Sequence, residues 1–178
     1  MKTKILKFTA TVLIILLAII IIGFLIPSKA ISPITKNIPT KIDPESFWYF
    51  PWGDQAVHKG IDIFCEKNVN VLAPISGYVY KTGFGSISGN YIYILGPKWR
   101  TYYFAHLDTI LIHKNTFVAK GSILGKVGNT GNASDKPYHL HLSVETLIPY
   151  FWLKDDNTLE GEKKMYYLDP NLYINFNE

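Results

Sequence analysis

A run of nineteen residues without one charged side chain, Phe8 to Ile26, limits what this chain can become more than any other stretch does. As a helix it would be about 28 Å long, close to the hydrocarbon thickness of a bilayer. It is apolar on every face, whereas a helix in a water-soluble core keeps a polar stripe. Residues 8–26 therefore read as a transmembrane helix. Lys2, Lys4 and Lys7 precede it with no acidic residue among them, so residues 1–7 should stay cytoplasmic and everything after Ile26 should be exported. Ser28-Lys29-Ala30 has small residues at a spacing that a signal peptidase accepts, but the apolar run is longer than the roughly seven to fifteen residues of a signal peptide. The expectation is an uncleaved anchor.

This topology changes the meaning of the charge. Of the 18 Lys and Arg, three lie before the membrane helix, leaving 15 against 14 acidic residues. The basic balance is thus mostly a topology signal, and it gives no support to a nucleic-acid partner. The single cysteine, Cys65, cannot form an internal disulfide. An exported domain of this kind must be held by its core, and 48% hydrophobic with 15% aromatic content makes that feasible.

Residues 27–46 contain Pro33, Pro39 and Pro44 among Ser, Thr, Lys and Asn, with no helical or strand period. They read as an extended tether that holds the domain off the membrane. The aromatic stretch Phe47-Trp48-Tyr49-Phe50-Pro51-Trp52-Gly53-Asp54 opens the folded domain, assigned to residues 47–148. It is expected to pack the start of that domain, with one wall of a substrate groove as the alternative. Short runs rich in Val, Ile, Tyr and Phe follow, at Ile61–Phe64, Val69–Ala73, Gly77–Lys81, Tyr91–Leu95, Thr101–Ala105, Phe117–Lys120 and Ile123–Val127. Gly and Pro separate them, and Gly128-Asn129-Thr130-Gly131-Asn132 is a loop. No long amphipathic helix appears after the membrane segment, so the exported part is predicted to be an antiparallel all-β domain. Residues 149–178 form a C-terminal extension whose Met165–Leu168 and Leu172–Ile174 are apolar enough to pack on it.

Histidines carry the chemistry. In Tyr138-His139-Leu140-His141-Leu142 the alternation places both imidazoles on one face of a strand. Histidine is the commonest metal ligand, although polar residues at every second position are also ordinary on surface strands. His58-Lys59-Gly60-Ile61-Asp62 brings a further imidazole and a carboxylate. On a straight strand residues four apart sit roughly 13 Å from one another, too far to share an ion, so Gly60 is expected to let the chain bend inward. His106 ends the run Tyr102–Leu107, and His113 has no companion ligand and reads as a surface residue.

Taken together, His58-x-x-x-Asp62, His106 and His139-x-His141 resemble the zinc endopeptidases of the lysostaphin and LytM type, which cut peptide bonds in bacterial peptidoglycan. The resemblance covers roughly Trp52 to Glu145 and runs through five motifs in the family's order. They are the HKGIDI start, the Ala-Pro-x-Ser-Gly-x-Val turn at Ala73–Val79, the Tyr-x-x-Ala-His-Leu run, the Lys120-Gly121-x-x-Leu124-Gly125-x-x-Gly128-x-Thr130-Gly131 stretch and the final His-Leu-His. It implies a twisted antiparallel sheet with a smaller sheet packed on it, and a groove that suits an extended peptide. It also implies one zinc ion on His58, Asp62 and His141, with His106 and His139 flanking and polarising the attacking water. Three protein ligands leave the fourth tetrahedral position open, and two free imidazoles suit proton transfer and oxyanion stabilisation near neutral pH. The expected place of work is the bacterial envelope, anchored in the cytoplasmic membrane with the domain on the outer side. Two departures stand out. Asn68-Val69-Asn70 replaces the family's frequent Gly-Thr-Pro, and Ser143 replaces a frequent Glu; neither is expected to touch a ligand. A second class of function on the same fold is a non-catalytic regulator of wall hydrolases or a peptidoglycan-binding module. Such relatives usually lose one or more of the five site residues, and this chain keeps all five. A third, an unrelated sugar-binding β-domain with an aromatic platform, would leave the histidines unexplained.

Overall fold

The strand that carries His139 and His141 is the centre of the molecule. In the computed structural model, which describes residues 2–53 and 56–177, the residues His139–Thr146 form one strand hydrogen-bonded along both edges. Met1, Gln55, Glu178 and the Asp54 that closes the aromatic stretch lie outside the described residues. Helix α1 spans Lys2–Leu25. It is followed by β1 (Ala30–Ile31), β2 (Lys41–Ile42), β3 (Ile61–Phe64), β4 (Asn70–Leu72), β5 (Gly77–Gly85), β6 (Gly89–Leu95) and β7 (Arg100–Ile110). The rest of the chain adds β8 (Thr116–Val118), β9 (Ile123–Val127), β10 (His139–Thr146), β11 (Tyr167–Leu168), the single-turn α2 (Pro170–Tyr173) and β12 (Ile174–Asn175).

The main sheet runs β2-β3-β10-β7-β6-β5-β8, every pair antiparallel. The long β7 does two things. Its first part lies between β10 and β6, and its end, from Leu107, leaves that ladder to pair with β9, which in turn pairs with β4. The smaller β4–β9 ribbon is thereby attached through β7 rather than standing free.

Period-two alternation on β10 sorts the two faces. Leu140, Leu142 and Val144 are fully buried, and the register puts Leu142 opposite Ile61 on one side and Phe104 on the other. Phe104 faces Ile92 in turn, so an apolar row crosses four strands under the sheet. Each such side chain contributes about 1.5–3 kcal/mol on burial. The opposite face of β10 carries His139, His141, Ser143 and Glu145, all of which line a groove.

The segment read as a free tether is instead laid on the domain. Ala30 and Ile34 are buried, the Ile31 N–H donates to the Pro74 carbonyl at 3.0 Å, and the Leu72 N–H donates to the Pro33 carbonyl at 2.8 Å. β1 also pairs in parallel with β12. A proline-rich composition does not separate a solvated linker from an extended strip with a few apolar anchors, and here the anchors win. The C-terminal extension closes the sheet from above: β11 pairs with the end of β10, with Tyr167 opposite Glu145, and Leu168 and Ile174 enter the core.

Glu145 is half-buried between Thr101 and Tyr167, and burial pushes its carboxyl up to about 7. Between the unfolded value and about 7 the folded state holds a proton that the unfolded state has lost. The associated stability is therefore present at low pH and lost as pH rises through about 7. Glu145→Gln should raise stability over the parent by about 2 kcal/mol at pH 8 and by less than half of that at pH 5, as measured by denaturant unfolding at the two pH values.

Candidate metal centre

Register builds the first half of the site. His141 on β10 lies directly across from Asp62 on β3, and the His141 Nδ1 is 3.0 Å from Asp62 Oδ1. His58 comes from the loop before β3, where a bend at Gly60 brings it back over the strand. A Cβ at Gly60 would come within 2.5 Å of the Leu142 carbonyl oxygen and 2.9 Å of the His141 ring, so only glycine lets this loop lie against β10. His58 Nε2 then reaches 3.0 Å from His141 Nδ1 and 3.3 Å from Asp62 Oδ1.

The tautomers follow from the hydrogen bonds. His58 Nδ1 lies 2.9 Å from the Ser46 carbonyl, which can only accept, so Nδ1 carries the proton and Nε2 presents a lone pair. Asp62 Oδ1 is an acceptor as well. Of the three converging atoms, only His141 Nδ1 could carry a proton on a neutral ring, and Ser143 Oγ stands 3.1 Å from His141 Nε2, ready to take that proton's hydrogen bond if the tautomer switches. With His141 in its other tautomer, three electron-rich atoms at separations of 3.0–3.3 Å are placed to hold a cation between them. A tetrahedral ion with bonds of about 2.0–2.2 Å sets its ligand atoms about 3.3–3.5 Å apart, so the triangle fits zinc after a shift of a few tenths of an ångström.

Electrostatics agree with the geometry. Burial alone would raise the Asp62 carboxyl, but the hydrogen bonds and charge of His141 and His58 outweigh it and hold the group well below the usual carboxylate range. Burial lowers the His141 imidazole, against the pull of Asp62. Both shifts favour the forms that bind a metal, an ionised carboxylate and a neutral imidazole.

His106 and His139 stand beside this triangle. His139 Nε2 lies 3.8 Å from Asp62 Oδ2, and its ring centroid is 4.9 Å from that of His106. Both rings are fixed as His58 is: His139 Nδ1 donates to the Pro137 carbonyl at 2.8 Å and His106 Nδ1 to the Thr130 carbonyl at 2.9 Å. Each therefore turns an Nε2 lone pair into the groove. His106 reaches it because its backbone is left-handed, with φ of 61°, which breaks the alternation of β7. Ala105 and His106 both line the groove as a result. A left-handed non-glycine residue costs free energy, and such strain clusters at functional positions. Burial pushes the His106 imidazole down to about 4, so it is neutral at physiological pH.

The five residues singled out from the sequence, His58, Asp62, His106, His139 and His141, come together here, and His113 stays apart on the surface. Ser143 does not fit the expectation that it touches no ligand, since its hydroxyl meets His141 Nε2. Alternation along β10 held that signal: 139, 141, 143 and 145 must share a face. Trp52 was harder to foresee. Its indole stacks on the His58 ring at 3.9 Å and 16°, while Trp48, four residues earlier, is buried. The aromatic stretch thus divides between core and groove. On the far side Tyr103 meets His141 edge-on at 5.9 Å and stacks with Tyr93 at 4.4 Å.

Known proteins resemble this chain in sequence and in fold. Over 89 residues the chain is 28% identical to the peptidoglycan DD-endopeptidase ShyC of Vibrio cholerae serotype O1 (strain ATCC 39315 / El Tor Inaba N16961), a match covering 50% of this chain and 20% of that protein. The chain thus spans about a fifth of that relative's length. The catalytic domain of the antimicrobial peptidase lysostaphin from Staphylococcus simulans has the same fold, with a TM-score of 0.60 at 22% identity over 75% of this chain and 91% of that one. A zinc-containing peptidase from Vibrio cholerae superposes with a TM-score of 0.53 at 25% identity, over 66% of this chain and 37% of that one. Residues 56–151, more than half of the chain and all five site residues among them, match the model of peptidase family M23, and the chain belongs to that family.

Proposed function

We propose that this chain is a zinc-dependent endopeptidase that hydrolyses peptide bonds of bacterial peptidoglycan, anchored by α1 in the cytoplasmic membrane with its domain on the outer side. The observation that carries the reading is the convergence of His58 Nε2, Asp62 Oδ1 and His141 Nδ1 on one point, beside two further imidazoles whose Nε2 atoms face the same space. The names of the Vibrio cholerae relatives, an endopeptidase of peptidoglycan and a zinc-containing peptidase, support the substrate and the metal. α1 is long and apolar enough to cross a bilayer, which supports the anchor.

Zinc held by His58, Asp62 and His141 would supply Lewis acidity, lowering the pKa of a water toward 7 and polarising the scissile carbonyl. The protein's own groups do the rest. Ser143 orients His141, Ser46 orients His58, and Trp52 covers the His58 ring against water. His106 and His139, with Nδ1 held by backbone carbonyls, offer basic Nε2 atoms that can take a proton from the nucleophilic water. Once protonated, the same Nε2–H can stabilise the developing oxyanion or deliver the proton to the departing amine. A binding module has no use for two oriented imidazoles outside the ligand triangle. This favours catalysis over the non-catalytic reading.

Chelation of the purified protein should abolish release of peptide fragments from peptidoglycan, read by mass spectrometry, and zinc should restore it. Metal-free protein that cuts equally well would overturn the mechanism. His141→Ala should lose zinc, while His106→Ala should keep it and lose turnover by at least about a hundredfold, as read by metal analysis alongside the assay. Equal metal loss in both would reverse the assigned roles. Ser143→Ala should weaken zinc binding by about ten- to a hundredfold in a competition titration. The chain should also stay with the membrane pellet after alkaline carbonate washing, and its appearance in the supernatant would remove the anchor.

A further inference from the structure

The C-terminal end of α1 does not project freely from the domain. Lys98 Nζ donates to the Phe24 carbonyl at 2.8 Å and Trp99 Nε1 donates to the Ile20 carbonyl at 3.0 Å. The Phe24 carbonyl lies in the last turn of the helix, where the intrahelical ladder runs out, and the Ile20 carbonyl lies one turn earlier. Gly23 makes the approach possible, because a Cβ there would overlap the Trp99 indole. Both donors sit in left-handed backbone, with φ of 61° and 59°. Two adjacent non-glycine residues in that region mark a turn shaped for this contact.

An apolar patch continues from the same place. The Leu147 N–H donates to the Trp99 carbonyl at 2.9 Å. Phe24 packs on Tyr150 with ring centroids 6.4 Å apart, and Tyr150 stacks on Trp152 at 4.9 Å. Leu147, Phe151 and Trp152 are 59%, 70% and 74% exposed, a large apolar surface for water to cover. Lys29 follows the helix four residues after Leu25, and Lys120 Nζ lies 3.5 Å from its carbonyl. Tryptophan, tyrosine and lysine around the end of an apolar helix are the residues that occupy the headgroup region of a bilayer.

We propose that the face bearing Lys98, Trp99, Leu147, Phe151 and Trp152 rests in the headgroup region of the bilayer that α1 crosses, so that the domain is docked on the membrane rather than suspended above it. Chain length leaves little alternative. Only five steps separate Leu25, the last helical residue, from Ala30, which is buried and strand-paired in the domain, an extended reach of at most about 17 Å. Positive charge and exposed aromatics on the helix side of the domain complete the fit to a lipid surface. The inference rests on α1 spanning the membrane, as proposed above.

The test uses the full chain in lipid nanodiscs, with Cys65→Ser and a single cysteine placed by Leu147→Cys, Trp152→Cys or Phe84→Cys, carrying an environment-sensitive fluorophore. Phe84 is 68% exposed and lies at the opposite end of the β5–β6 hairpin from Leu95, the residue that leads into the Lys98–Trp99 turn. Lipids brominated near the headgroup end of the acyl chain should quench most of the emission at positions 147 and 152 and none at 84. Labels at 147 and 152 as insensitive to brominated lipid as the one at 84, in protein retained by the nanodisc, would overturn the docked face alone. Protein that fails to enter the nanodisc would overturn the span and the docked face together.

Discussion

The register of β3 against β10 is the constraint on which the site depends. Asp62 stands opposite His141 because Ile61 and Ile63 meet Leu142 and Leu140 on the buried face. A slip of one residue would turn every side chain of β3 to the other face, put Ile61 or Ile63 in the groove and bury Asp62 in the core. The apolar row therefore acts as the gauge for the metal triangle. Each buried pair that stabilises the sheet also excludes the registers in which the carboxylate and the imidazole never meet.

The same economy governs the histidines. Three of the four rings in the groove are pinned at Nδ1 by backbone carbonyls, those of Ser46, Thr130 and Pro137, which belong to three separate loops. A carbonyl accepts and never donates, so the tautomer is decided by the fold and not by pH. His141 is the exception, turned the other way round so that Nδ1 faces Asp62 and Nε2 faces Ser143. That inversion puts a side chain, not the backbone, in charge of the central imidazole.

Much of this was legible in the order of residues. Alternation around His139 and the β-rich runs lead to the antiparallel sheet, and the resemblance to the lysostaphin-type endopeptidases names the five groove residues. The limits of that reading have physical causes. The strip from Ala30 to Ile34 has the composition of a linker, and only its contacts with Pro74 and Leu72 reveal that it is part of the domain. Ser143 stands where the family often has Glu, a pattern that says nothing of contacts, while alternation along its own strand puts it on the same face as His141. Trp52 could not be separated from Trp48 by any local rule, since which of two neighbouring indoles meets the core and which meets His58 depends on the path of the whole loop.

β10 also has a length, and its two ends lie in different surroundings. It starts at the histidine cluster and finishes at Thr146, next to Leu147, which is hydrogen-bonded to the turn that grips α1. Six residue steps separate His141 from Leu147, an extended path of at most about 20 Å. With the domain docked as proposed, this strand would set the height of the groove above the membrane, as a ruler does. Polymer that passes more than that height above the lipid would then be out of range, however well its chemistry suits the groove.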